Sequence, residues 1–169
     1  MALTQEQVSQ LYVALFGRAS EGSGNKGWID RGLNQVDTAN EMIASPAAKD
    51  YFGGELTNLE FVTFIYENTL GFTHDKEGIA NWTAKLAGIS RGELVVDMIT
   101  AALSPEFEGS APQNQLLNRI EVSNYMATNV ENVAAEDVAS TQFVSVRYPD
   151  AGLTVNENAS TVTAAKKII

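Results

Sequence analysis

Apolar residues near the start of the chain fall at helical spacing. Val8, Leu11, Tyr12, Leu15 and Phe16 follow at i, i+3, i+4, i+7 and i+8, which predicts one amphipathic helix with a single buried stripe. Thr4-Gln5-Glu6-Gln7 ahead of it has the spacing of a capping box, and Gly17 stands where a helix ends. Ser20 or Glu21 starts a second, short helix that runs to Arg31-Gly32 with Trp28 on its inner face. Asp37 caps a third that holds Met42 and Ile43, and Ser45-Pro46 opens a fourth that reaches Phe52, with Ser as cap and Pro at the first helical position.

After Gly53-Gly54 the same pattern returns. Thr57-Asn58-Leu59-Glu60 is a capping box, and Phe61, Val62, Ile65, Tyr66 and Leu70 form the stripe that Gly71 stops. Asp75 caps the helix carrying Trp82 and Leu86. Ser90-Arg91-Gly92-Glu93 is a further capping box, leading into Leu94, Val95, Met98, Ile99, Ala102 and Leu103, and Ser104-Pro105 starts a closing turn with Phe107.

The return is a repeat in register. A shift of 54 residues carries Val8 onto Val62, Leu11 onto Ile65, Tyr12 onto Tyr66, Phe16 onto Leu70, Gly17 onto Gly71, Glu21 onto Asp75, Gly24 onto Gly78 and Trp28 onto Trp82. With a slight change of register Met42-Ile43 then meets Met98-Ile99, and Ser45-Pro46 meets Ser104-Pro105. Repetition at this length marks one supersecondary unit used twice. The expected architecture is all-α: one domain over residues 1–169, two repeated units (4–53 and 57–109) of three to four helices each, and a C-terminal helical cap over 110–169. In that cap, Leu116, Leu117, Ile120 and Tyr125 predict a helix over 112–128. Residues 131–148 read as helical with weak patterning, Tyr148-Pro149-Asp150-Ala151-Gly152 as a turn, and a last helix is capped by Ser160 or Thr161. Its apolar end at Ile168-Ile169 leads us to expect a chain that continues downstream.

Composition narrows the function. With 44% hydrophobic and 19% charged residues the chain is expected to fold. The absence of Cys excludes disulfides, thiol catalysis and thiolate metal sites. The net charge is -10, so a phosphate track of clustered Lys and Arg is missing and no nucleic-acid partner is expected. No apolar run approaches the ~20 residues of a membrane span, and no basic head with an apolar core marks a secretory signal peptide at the N-terminus. Charge is uneven: residues 1–53 hold 4 basic and 6 acidic side chains, residues 54–109 hold 3 and 9.

Candidate chemistry is sparse. Arg18, Lys26, Arg31 and Lys49 are the basic residues of the first unit, and Arg18, Lys26 and Arg31 are the candidate contacts to a glycan or other anionic partner. Trp28 and Trp82 sit in an amphipathic pattern and read first as core anchors of their helix pairs, with sugar-stacking platforms as the alternative. Asp75 and Glu77, with Glu21 in the first copy, are the candidate Ca²⁺ carboxylates, since Ca²⁺ takes six to eight oxygens; no D-x-[DN]-x-[DN]-G run supports them, Asp75 is better explained as an N-cap, and no metal site is favoured. His74 is the sole histidine, and its counterpart in the first unit is Ser20, so catalysis is not expected of it. No hydrolase, P-loop, zinc or dinucleotide motif is present, and no catalytic residue or cofactor is expected.

The strings LYVALFGRASEGSGNKGW, IYENTLGFTHDKEGIANW and SRGELVVDMITAALSPEF resemble a helical repeat domain of unknown function found in bacterial S-layer and RTX-type surface proteins. Its pattern is Tyr-x-x-x-Leu-Gly-Arg, then Asp-x-x-Gly-x-x-x-Trp, then Ser-Pro-Glu-Phe. Tyr66, Leu70, Gly71, Asp75, Gly78, Trp82, Ser104, Pro105, Glu106 and Phe107 match it. The second copy departs at Phe72, where Arg is usual; the first supplies Gly17 and Arg18 but has Glu21 for Asp and Ala47-Ala48 after Ser45-Pro46. The likeness extends over about residues 4–128 and is closest to the anchoring domains of Campylobacter-type S-layer proteins. It implies a non-enzymatic cell-surface adhesin-like anchor that binds lipopolysaccharide O-polysaccharide or another surface polysaccharide. It further implies export by type I secretion and a downstream calcium-binding RTX part. Self-association, as a protein–protein assembly module, is the alternative.

Overall fold

The computed structural model describes residues 3–71 and 75–169; Phe72 and His74 lie outside the described residues. The fold is all-α. The first unit comprises α1 (Gln5–Leu15), α2 (Gly22–Asp30), α3 (Gln35–Ile43) and α4 (Pro46–Phe52). The second comprises α5 (Asn58–Ile65) continued by one π-helical turn (Tyr66–Leu70), α6 (Lys76–Lys85), α7 (Arg91–Ala102) and a 3-10 turn (Pro105–Phe107). Then come α8 (Ala111–Asn129), a 3-10 segment (Ala135–Thr141) and α9 (Ala159–Ile168).

Local chemistry accounts for most boundaries. Thr4 and Thr57 each form a complete capping box, with Gln7 and Glu60 reaching back to the cap backbone. The Ser45, Ser90 and Ser110 hydroxyls accept from the third helical N–H of α4, α7 and α8. Gly17 and Gly71 close the first helix of each unit at φ 61° and 75°, a conformation that costs other residues about 1–2 kcal/mol. At Gly17 there is a second reason. A Cβ there would stand 2.5 Å from Cζ of the buried Tyr51 ring.

Three expectations are corrected. The cap of α3 is Asn34, whose Oδ1 accepts from Asp37 N at 2.8 Å; Asp37 sits inside the first turn, where its charge meets the positive end of the helix. The cap of α9 is Asn158 rather than Ser160 or Thr161; the Thr161 hydroxyl instead accepts from Asn156 N and donates to Asn158 O. Within residues 131–148 the helical part is the 3-10 segment Ala135–Thr141, and the rest is not helix. Backbone bonds tie this stretch to distant segments: Ala19 N to Thr141 O at 2.9 Å, Phe143 N to Gly17 O at 2.8 Å and Val144 N to Leu153 O at 2.8 Å. Phe143, Leu153 and Val155 are buried and pin this strap to the core.

The helix α1 lies at the centre. Besides the expected stripe, Ser9, Val13 and Ala14 are also buried, because α8 covers the face the stripe leaves open. The two units meet through their equivalent third helices, α3 and α7. Gly92 permits the close crossing: its N–H donates to Asn40 Oδ1 at 2.9 Å, and Asn40 Nδ2 donates to the Ser90 hydroxyl at 3.1 Å. From α8 the buried Arg119 reaches across the molecule. It donates to the carbonyls of Val155, Asn68 and Val144 at 2.8–2.9 Å, tying the π-turn and the strap to one helix. Burial pushes its guanidinium down to about 10, so it stays charged at neutral pH.

Candidate functional site

The repeat places the same four residues together twice. In the first unit Tyr12 ends α1, Glu21 precedes α2, and Gly24 and Trp28 lie within α2. In the second, Tyr66 starts the π-turn, Asp75 caps α6, and Gly78 and Trp82 lie within α6. Each tryptophan lies beside the hydroxyl of the tyrosine of its unit and influences its ionisation. The glycine makes room. A Cβ on Gly24 would stand 2.6 Å from the Tyr12 hydroxyl, one on Gly78 2.7 Å from that of Tyr66, and each would also collide with the unit's own carboxylate. Small size, rather than backbone freedom, is what both positions require.

The first copy is closed. Arg18 forms an ion pair with Glu21, donates to the Thr141 hydroxyl at 3.2 Å and lies 5.7 Å from the Tyr12 ring centre. The Phe16 ring fills the space between Tyr12 and Trp28, at 5.0 Å and 6.5 Å. Burial, then the Glu21 charge, pushes the Tyr12 hydroxyl up to about 12; burial, with Tyr148 nearby, raises Tyr51 still further. Both stand above their unfolded value, so the stability they carry is complete below about pH 10 and drains as pH rises through 12. For Tyr12 this amounts to about 3 kcal/mol. An alkaline absorbance titration of the five tyrosines is expected to show two that ionise only as the helices melt. Five titrating together in the folded protein would refute it.

Among the described residues the second copy is open. Leu70 stands where Phe16 stood, and among the described residues no cation pairs with Asp75. A cavity of about 140 Å³ lies there, walled by Leu70, Trp82, Met98, Ala102 and Phe107, with Tyr66, Asp75, Ser110 and Gln113 among its polar members. Asp75 is exposed at one side while its Oδ1 accepts from Gly78 N at 3.0 Å. Gln113 is buried, its amide donating to the carbonyls of Ala102 and Ser104 at 3.0 and 2.9 Å, which fixes the floor. Burial and the Asp75 charge raise the Tyr66 hydroxyl, so it remains a donor at neutral pH.

Of the residues expected at a site, Arg18 is drawn into the closed copy with its side chain 15% exposed. Lys26 pairs with Asp30 at 2.5 Å and Arg31 with Glu41 at 3.2 Å on the surface, where solvent screens such pairs and they add little to stability. Lys49 is exposed on α4. Glu77 is exposed in the first turn of α6, and among the described residues no group of three or more His, Cys, Asp or Glu is gathered as for a metal ion. Trp28 and Trp82 are half-buried against the core. Each carries a cation three residues on: Arg31 lies 4.9 Å from the Trp28 ring centre and Lys85 4.2 Å from that of Trp82. Sequence reasoning missed Lys85, although the 54-residue register that pairs Trp28 with Trp82 also pairs Arg31 with Lys85. It also missed Gln113, which lies outside the repeat and carries no signal.

Among the described residues no helix is long and apolar enough to cross a membrane. Residues 39–111 match a family described as "Domain of unknown function (DUF4214)". That span runs from within α3 to the start of α8, taking the second unit whole and the end of the first. No curated protein and no solved structure matches the chain.

Proposed function

We propose that this chain, whose residues 39–111 match that uncharacterised domain, is a non-enzymatic anchoring domain of a secreted bacterial surface protein, binding the O-polysaccharide of lipopolysaccharide. The supporting observation is the duplicated pairing of a half-buried indole with an exposed cation, Trp28 with Arg31 and Trp82 with Lys85. An indole offers a flat apolar face to the C–H side of a sugar ring. The ring holds the cation over it by only about 0.5–1 kcal/mol at an exposed site, and Arg31 has besides it an exposed pair with Glu41, so each cation can swing aside and donate to sugar hydroxyls. Two equivalent platforms suit a ligand that itself repeats, because linked sites gain avidity without new contacts.

Catalysis fits the arrangement poorly. Glycoside hydrolysis needs two placed carboxylates, whereas each unit offers one, engaged with Arg18 in the first and with the α6 N-terminus in the second. Export by type I secretion, a downstream RTX part and any Ca²⁺ belong to the same reading. The second reading, assembly between copies, draws on the exposed apolar residues Leu59, Phe107 and Leu117; it requires concentration-dependent oligomers without glycan.

The two tryptophans, both on these platforms, report binding directly. Released O-polysaccharide is expected to shift their emission saturably, and the double variant Arg31→Glu/Lys85→Glu to bind at least about tenfold more weakly at unchanged helicity, a difference of about 1.4 kcal/mol. Unchanged emission would count against the reading.

A further inference from the structure

We propose that the open pocket of the second unit is the subsite for an amino sugar with a free ammonium group, the ring packed into the cavity and the ammonium set on Asp75. The proposal rests on the glycan reading above and specifies which sugar the site selects.

The first copy supplies the argument, because it contains its own occupant. There the carboxylate of Glu21 and the face of Tyr12 receive the Arg18 guanidinium, and the Phe16 ring fills the apolar space between Tyr12 and Trp28. The second copy keeps the receiving groups, Asp75, Tyr66 and Trp82, but Leu70 replaces the ring, and among the described residues no cation pairs with Asp75. What is missing among the described residues is therefore a cation attached to a compact ring with an apolar face. An amino sugar has that form: a C–H face for Leu70, Trp82 and Phe107, and an ammonium for the carboxylate. The phenol of Tyr66, held protonated, and the π-face beside it complete the cation site.

Charge runs the same way. The second unit has 9 acidic residues against 3 basic, which repels an anionic glycan and draws a cationic one. An acidic domain on a bacterial surface is thereby matched to the minority of sugars that carry positive charge. The N-acetylated form of the same sugar lacks the charge and adds bulk at the carboxylate, so the site rejects it.

The test uses the whole domain, titrated at about pH 6, where amines are protonated. The probes are the fully deacetylated trimer of glucosamine, its fully N-acetylated counterpart and N-acetyl-arginine amide. Binding is followed by calorimetry and by amide resonances of α6 and the π-turn. The free-amine trimer is expected to bind at least about tenfold more tightly than the acetylated one. Asp75→Asn, which keeps the helix cap because Asn caps as well as Asp, is expected to abolish that preference. Leu70→Phe, which reproduces the first copy's own filling, is expected to abolish binding with the fold intact. Equal binding of both trimers, or an unchanged affinity in Asp75→Asn, overturns the proposal. Binding of the arginine amide without the trimer overturns it in favour of a protein partner's side chain. If neither trimer binds while smooth lipopolysaccharide does, the subsite fails and the glycan reading stands; if lipopolysaccharide fails as well, both fall.

Discussion

Arg119→Met is expected to lower the unfolding free energy by about 4 kcal/mol, read as a fall in the urea midpoint at constant slope. The guanidinium is 5% exposed and donates to the carbonyls of Val155, Asn68 and Val144. Methionine fills much of the volume but leaves three acceptors in a dry interior, and each buried unpaired group costs about 1–3 kcal/mol. A domain of this kind has about 5–15 kcal/mol in all, so the loss is a large share. Arg119→Lys separates charge from geometry. A compact ammonium cannot serve three acceptors held by a planar fork, so roughly half the loss is expected to remain. Asn68 belongs to the π-turn that also carries Tyr66 and Leu70, so the same variants loosen the open pocket. A methionine variant as stable as the parent would mean that these carbonyls find water instead.

Gly92→Val is expected to cost about 3 kcal/mol and to broaden the contact between the two units. A Cβ at Gly92 would lie 2.5 Å from Asn40 Oδ1 and 2.8 Å from Asn40 backbone N. The side chain can rotate, but the backbone of α3 cannot move without reopening the core around Met42 and Met98. Overpacking of this sort costs about 1–3 kcal/mol, and the lost Gly92–Asn40 bond adds about 1 kcal/mol. Gly27 in α2 is the control. Nothing lies within 4 Å of its Cβ position, and an alanine there is expected to stabilise by about 0.5–1 kcal/mol. If both substitutions behave alike, α3 and α7 do not pack as described.

The features that could be read from sequence are those whose cause is local. Capping boxes at Thr4 and Thr57, serine caps before Pro46 and Arg91, and left-handed glycines at 17 and 71 are encoded within a few residues. The strap from residue 131 to 158 could not be read so, because its order comes from Gly17, Ala19 and Arg119, far away in sequence. The π-turn carries no composition cue; it is held by Arg119 and by Asn68, whose Oδ1 accepts from Arg147 N at 2.7 Å. At the site, the repeat register brought Tyr12, Glu21, Gly24 and Trp28 onto Tyr66, Asp75, Gly78 and Trp82, yet each residue alone reads as a cap or a core anchor. Their joint meaning appears only when Arg18 is seen on Glu21 and Phe16 between the aromatic rings, for then Leu70 becomes a deletion from a filled site.

The central claim, that the domain anchors to the O-chain, is tested most directly by co-sedimentation with smooth lipopolysaccharide of the organism that makes it. Rough lipopolysaccharide lacking O-chain serves as control, each with and without EDTA. The account predicts saturable binding to the smooth form alone, and EDTA sensitivity would show whether a divalent cation takes part. Equal binding to both forms, or binding to neither while the protein self-associates with concentration, would contradict it.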